Sequence, residues 1–328
     1  MRNDVWKNLY LYVSKWLELQ PWNDFWSGDQ ICVHLKKKDY YCMILGRGGD
    51  CIGVSIYEGD NGYADLCSIG IDYADETVMN YIFLEQRCLT FYVGKREDVP
   101  QSQLEIMQEL GLSFSTYWPY FISLQPHFYP YEINDTQAGI MASVFRQLLI
   151  IVEQYRQNKI QVDFAKEEMI YAYYDHHWIY EARPRPAFIE KFFAIEFTDS
   201  NLVHTLANLP ASSETLAVDL CYLYGGFYKE EYDRPITGLV LIIMDISQDQ
   251  ILYMNLLEPE CNERQICLET FSLIMKDYGK PARVLLRNPM VYGALASLCE
   301  DCDILIEASA LPMIDDAVDK LNQLDSKN

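Results

Sequence analysis

The segment TGLVLIIMDISQDQILYMNLLE, residues 237–258, holds two apolar runs separated by the polar turn ISQDQ. Short apolar runs bounded by turn residues read as buried strands, and two so close together read as an antiparallel pair. Working outward, TLAVDLCYL (215–223) supplies a strand before them. The stretch CNERQICLETFSLIMKDYG after them has helical spacing, with Gly279 as its stop. ARVLLRN (282–288), MVYGALASLCED, CDILIEA (302–308) and MIDDAVDKLNQL then alternate strand, helix, strand, helix. The order is β-β-β-α-β-α-β-α, an α/β domain built on a mixed sheet.

The first half reads differently. MRNDVWKNLYLYVSKWLEL places Trp6, Leu9, Tyr10, Val13, Trp16 and Leu17 on one helical face. Strand-like runs follow at 31–35, 40–45 and 51–57, the last two joined by the glycine-rich turn GRGGD. Helices are expected over 74–87 and after Pro100, and strands at 88–94 and 120–128. A long helix is expected from about Thr136 to Gln157, with Asn134, Asp135 and Thr136 as caps. The stretch 169–186 alternates like a strand and ends in a Pro-rich turn. The sequence thus predicts an α+β domain over 1–165 and the α/β domain over 166–328, with the boundary inside 160–185.

Composition narrows the function. The 328 residues are 50% hydrophobic and 23% charged, the signature of a globular chain. Twenty-six Lys plus Arg against 48 Asp plus Glu give −22, which disfavours docking on a nucleic-acid backbone or an anionic membrane. No apolar run approaches the roughly 20 residues that span a bilayer. Polar residues interrupt every candidate leader segment, so a cytoplasmic protein is expected. The ten cysteines are scattered, and most read as small buried hydrophobes. Cys299 and Cys302 form a C-x-x-C with no second pair of matching spacing. They sit where a helix ends, and its dipole opposes a thiolate there.

The order of elements in the second half resembles the RNase H-like fold. MDISQDQIL is similar to the turn between the second and third strands of transposase-type members, and GKPARVLLRN to the approach to their fourth strand. That resemblance implies carboxylates gathered at one sheet edge to hold two Mg²⁺ or Mn²⁺ ions for phosphodiester hydrolysis. Asp219 falls on the first strand, where such enzymes hold an acid. Asn288 stands where a second acid belongs. Asp315, Asp316 or Asp319 on the last helix could complete the set, with Glu263 or Glu269 as compensating acids. Asn brings a carbonyl oxygen and no charge, so this edge reads as degenerate. The basic residues near it, Arg283 and Arg287, are few. At whole-chain scale, the N-terminal PW, ICVHL, MILGRGGDCIGVSIYEGDNG and the segment from Gly279 to Leu321 resemble a bacterial family that pairs two domains of unknown function. That resemblance implies a bacterial source and carries no activity with it.

Other constellations read as structural. GRGGD precedes a strand and not a helix N-terminus, so it is a hairpin turn and not a phosphate cradle. His176 and His177 are adjacent, and neighbouring strand residues face opposite ways. His34, His127 and His204 lack ligand spacing. Asp72, Asp75 and Glu76, and Glu230, Glu231 and Asp233, are acidic clusters of the kind that acid/base chemistry uses, but sequence fixes no distance between them. The reading is a non-enzymatic protein that binds an unknown protein or small-molecule ligand, without cofactor. The alternatives are a metal-dependent nuclease using Asp219, Asn288 and Asp315 or Asp316, and an acidic decoy of nucleic acid.

Overall fold

The structure is a computed structural model and describes residues 2–49, 51–196 and 199–325. It is a mixed α/β protein with two mixed sheets, in two compact units. The first unit comprises 1–70, 86–125 and 130–189, and the second 71–85, 126–129 and 190–328.

In chain order the first half contains α1 (Arg2–Leu19), β1 (Ile31–Leu35), β2 (Lys38–Leu45), β3 (Gly53–Glu58), α2 (Gly59–Ile69), α3 (Glu76–Leu84) and β4 (Cys88–Gly94). It continues with α4 (Gln101–Glu109), β5 (Trp118–Gln125), β6 (Phe128–Glu132), α5 (Asp135–Arg156), β7 (Glu168–Asp175) and β8 (His177–Pro184). The first sheet runs β6-β5-β4-β3-β2-β1-β7-β8. Alternating residues divide its faces, as a strand's period of two requires. Ile31, Val33, Cys42, Ile44, Val54, Ile56 and Phe91 form one core with α1 and α5. Cys32, Tyr41, Tyr57 and Cys88 form another with Tyr63 and Leu66 of α2. Of the expected caps Asn134 is the one that acts: its side chain accepts from Gln137 N, and the Gln137 side chain answers at Asn134 N.

Several elements differ from the sequence expectation. Residues 59–69 are helical despite Gly59 and Gly62. A Cβ at Gly62 would meet Tyr57 C at 2.9 Å, so the glycine permits the helix to lie against the strand it follows. The run 120–128 is split into β5 and β6 by a tight turn in which His127 takes φ 67°. The run 169–186 is a hairpin turning at His176 (φ 58°), and β7 pairs in parallel with β1. These strands therefore belong to the first sheet, and the last of the chain's crossings between the two units falls between residues 189 and 190. The GRGGD turn joins β2 and β3 as a hairpin, though its Asp50 lies outside the described residues.

The second unit holds α3, then α6 (Ser200–Ala207), β9 (Thr215–Tyr222), β10 (Leu239–Asp245), β11 (Gln250–Leu257) and α7 (Glu263–Tyr278). It closes with β12 (Arg283–Leu286), α8 (Pro289–Asp301), β13 (Leu305–Ala308) and α9 (Pro312–Asp325). The sheet order is β11-β10-β9-β12-β13. β10 is antiparallel to β9 and β11, whereas β12 is parallel to β9 and β13. β10 is buried along its whole length, as is β9 apart from Thr215, so both faces of the sheet are covered at these two strands, whereas β11, expected to be buried, is mostly exposed at the edge. Ala217, Cys221, Val240, Ile242 and Met244 share a core with Leu311 and Ile314 at the start of α9. Asp219 lies opposite Ile242 in the register and so shares that face.

Gly293 on α8 is a second point of close approach. A Cβ there would stand 2.8 Å from the carbonyl oxygens of both Phe192 and Phe193, backbone atoms that cannot rotate away. Gly293→Ala is expected to lower stability by about 1–3 kcal/mol through overpacking, read as a reduced urea midpoint at an unchanged slope.

Candidate functional site

Two buried polar centres lie within the second unit. The first is built around Arg287, just past the end of β12 and only 6% exposed at its side chain. Its Nε donates to Asp219 Oδ2 at 2.7 Å, and its Nη1 to Asp315 Oδ2 at 3.1 Å and to Asp75 Oδ2 at 3.3 Å. Its Nη2 donates to the second Asp315 oxygen. A planar fork of five donors suits such a gathering of carboxylates. Asp219 also accepts from the Cys221 thiol and from Leu220 N. Asp75 divides its carboxylate: Oδ1 caps α3 by accepting from Thr77 N and Val78 N, and Oδ2 faces Arg287.

Burial dominates the electrostatics here. Desolvation pushes the Asp219 carboxyl up to about 6, with the Arg287 charge holding it from rising further. Burial works against the charge on Arg287 as well, but the Asp315 and Asp219 carboxylates outweigh it and hold the guanidinium above its ordinary value. Asn288, the neighbour, is 1% exposed and wholly engaged in structure. Its Nδ2 donates to Leu220 O at 2.9 Å, and its Oδ1 accepts from Met290 N at 2.8 Å to cap α8.

The second centre brings together Glu85, His127 and Glu263, which are 3%, 7% and 7% exposed. Glu85 caps the C-terminal end of α3, His127 sits in the tight turn before β6, and Glu263 begins α7. His127 Nε2 is 2.6 Å from Glu263 Oε1, and the Tyr81 hydroxyl donates to Glu263 Oε2 at 2.8 Å. The Tyr222 hydroxyl donates to Glu85 Oε1 at 2.6 Å, and Lys191 Nζ stands 3.6 Å from Glu85 Oε2. Lys191 also donates to the Glu85 backbone carbonyl. The Tyr81 and Tyr222 rings stack with centroids 5.7 Å apart. Burial, and then the Glu263 charge, push the Glu85 carboxyl up. Burial also raises both tyrosines well above their ordinary values.

The structure thus brings Asp219 and Asp315 together, through Arg287. Asp316 and Asp319 are exposed, and Glu269 is exposed and bonded to Gln265. Glu263 points to the second centre. Sequence reasoning set His127 aside for want of ligand spacing. Glu85, His127 and Glu263 meet only through tertiary packing, and no local pattern marks them. Cys299 and Cys302 are both buried at the end of α8. Burial pushes the Cys299 thiol up to about 12 and raises Cys302 as well, which disfavours thiolate chemistry. His176 is an exposed turn residue. Asp233 pairs with Arg234, and Lys229 pairs with Glu258.

Against known families, residues 6–172 match a domain of unknown function (DUF7309). The chain belongs to the DUF7309 family. Residues 202–322 match a second domain of unknown function (DUF6930). No curated protein and no solved structure matches the chain. Glu85 and His127 fall in the segment matched by DUF7309, and Asp219, Glu263, Arg287 and Asp315 in that matched by DUF6930.

The raised Asp219 carboxyl has a consequence for stability. An unfolded Asp loses its proton near pH 4, whereas the buried one retains it up to about 6. The folded state therefore binds more protons between these limits, and this contribution to stability is lost as pH rises through 6. Asp219→Asn abolishes the titration. The stability margin of the native chain over this variant should narrow between pH 4 and 7, by up to about 3 kcal/mol, in urea titrations run in parallel.

Proposed function

We propose that the second unit is an RNase H-like domain that has given up two-metal hydrolysis and acts by binding a protein or small-molecule partner. The observation that carries this reading is Arg287, whose guanidinium bridges Asp219, Asp315 and Asp75. The strand order β11-β10-β9-β12-β13, with only β10 antiparallel to its neighbours, supports the RNase H-like part. In that fold the middle of the first strand, the end of the fourth and the last helix carry the metal ligands. On this reading Asp219, Asn288 and Asp315 correspond to those places. A guanidinium stays protonated at any physiological pH and polarises no bound water. It neutralises the carboxylates without supplying the Lewis acid or hydroxide that hydrolysis needs. Asn288 removes one further charge.

A binding role has support at the rim of the same sheet. β11 is its edge strand, and Ile251, Met254 and Leu256 on it are each about two-fifths exposed. Edge strands with exposed apolar side chains accept extended segments of other chains.

The test is incubation of the full chain with single-stranded and duplex DNA, RNA and hybrid substrates in Mg²⁺ and Mn²⁺. No cleavage is expected beyond that of the Asp219→Ala variant. Cleavage that this substitution abolishes would overturn the reading and favour the nuclease. Separately, Arg287→Ala strands a buried carboxylate without its counter-charge. It should lower unfolding free energy by about 3–5 kcal/mol.

A further inference from the structure

The arginine centre carries its own permanent cation. The second centre has a cation, Lys191, beside only one of its two carboxylates, and its chemistry differs. One donor atom each from Glu85, His127 and Glu263 lies within 4.8 Å of the other two, and all three residues are buried. Each carboxylate has one oxygen held by a tyrosine: Tyr81 takes Glu263 Oε2, and Tyr222 takes Glu85 Oε1. Such outer contacts fix the orientation of ligating groups in metal centres. The remaining Glu263 oxygen faces His127 Nε2, and the remaining Glu85 oxygen faces Lys191. Two carboxylates out of water are offset by cations or by protons. Lys191 offsets one. The other is met by a proton held within the cluster or by a metal ion.

We propose that Glu85, His127 and Glu263 form a binding site for one divalent first-row transition-metal ion. One imidazole nitrogen with carboxylate oxygens suits Zn²⁺ or Mn²⁺, whereas Mg²⁺ and Ca²⁺ take oxygen donors. Metal–ligand bonds near 2.1 Å put neighbouring donors about 3–3.4 Å apart. The 2.6 Å contact of His127 with Glu263 must therefore open slightly, and the longest separation must close by at most about 1.8 Å. The ion takes the place of the proton on His127 Nε2, which leaves to the buffer. Lys191, beside Glu85, opposes the incoming charge.

The experiment is equilibrium dialysis of the full chain against Zn²⁺ in excess Mg²⁺, followed by metal analysis. His127→Gln, Glu263→Gln and Lys191→Met are run beside it, with circular dichroism to verify folding. The expected result is one Zn²⁺ per native chain, at least tenfold weaker binding in His127→Gln and Glu263→Gln, and several-fold tighter binding in Lys191→Met. The proposal falls if the native chain binds no Zn²⁺, or if His127→Gln and Glu263→Gln bind as the native chain does. It falls too if Lys191→Met gains no affinity. Should the variants fail to fold, the visible spectrum of the Co²⁺-loaded native chain decides. Weak bands without thiolate charge transfer fit a nitrogen and oxygen set. Thiolate charge transfer assigns the ion to cysteines and overturns the site.

Discussion

A guanidinium that cannot give up its proton, set among three carboxylates, is the constraint on which the second unit depends. Arg287 reaches Asp219 on β9, Asp315 on α9 and Asp75 at the start of α3. It thereby joins the middle of the sheet, the closing helix and a helix drawn from the first half of the sequence. Buried ion pairs yield little net stability against an apolar alternative, but breaking one is costly. The arrangement is thus better understood as fixing a single packing than as adding free energy. The aspartate remains the weaker member, because burial opposes its charge more than the guanidinium, the Cys221 thiol and Leu220 N together sustain it.

The two polar centres solve the same electrostatic problem with different cations. At Arg287 the positive charge is covalently part of the chain and points along a rigid fork. At Glu85, His127 and Glu263 an ammonium on a flexible stem stands beside one carboxylate and an imidazole against the other. The first arrangement carries its counter-charge within the chain, and the second is where the proposed metal ion would sit.

How much of this was legible in the sequence follows from which forces act locally. β9, β10 and β11 were legible as strands because unbroken apolar runs flank a polar turn, but the exposure of β11 was not, since an apolar run does not say which strand lies at the edge of the sheet. α2 was not, because Gly59 and Gly62 look like breakers until the contact of Gly62 with Tyr57 is known. The hairpin of β5 and β6 was hidden because Pro126 and His127 interrupt an aromatic run without any Gly or Asn to mark the turn. The helical pattern of α3 was readable, but its allegiance to the second unit was not, since a helix's period says nothing about which sheet it covers. Of the site, Asp219 and Asp315 could be singled out by their places in a recognisable order of elements. Their shared partner Arg287 was seen only as one of a sparse basic pair. Glu85, His127 and Glu263 had no such order to reveal them.

Helix α3 is pinned at both ends. Asp75 caps its start while holding Arg287, and Glu85 closes its end while meeting Tyr222 and Lys191. Inserting or deleting one residue between them would rotate one anchor by about 100° and shift it by about 1.5 Å relative to the other. Neither would then reach its partners. The length of this short helix is therefore as firmly dictated as the identity of its end residues.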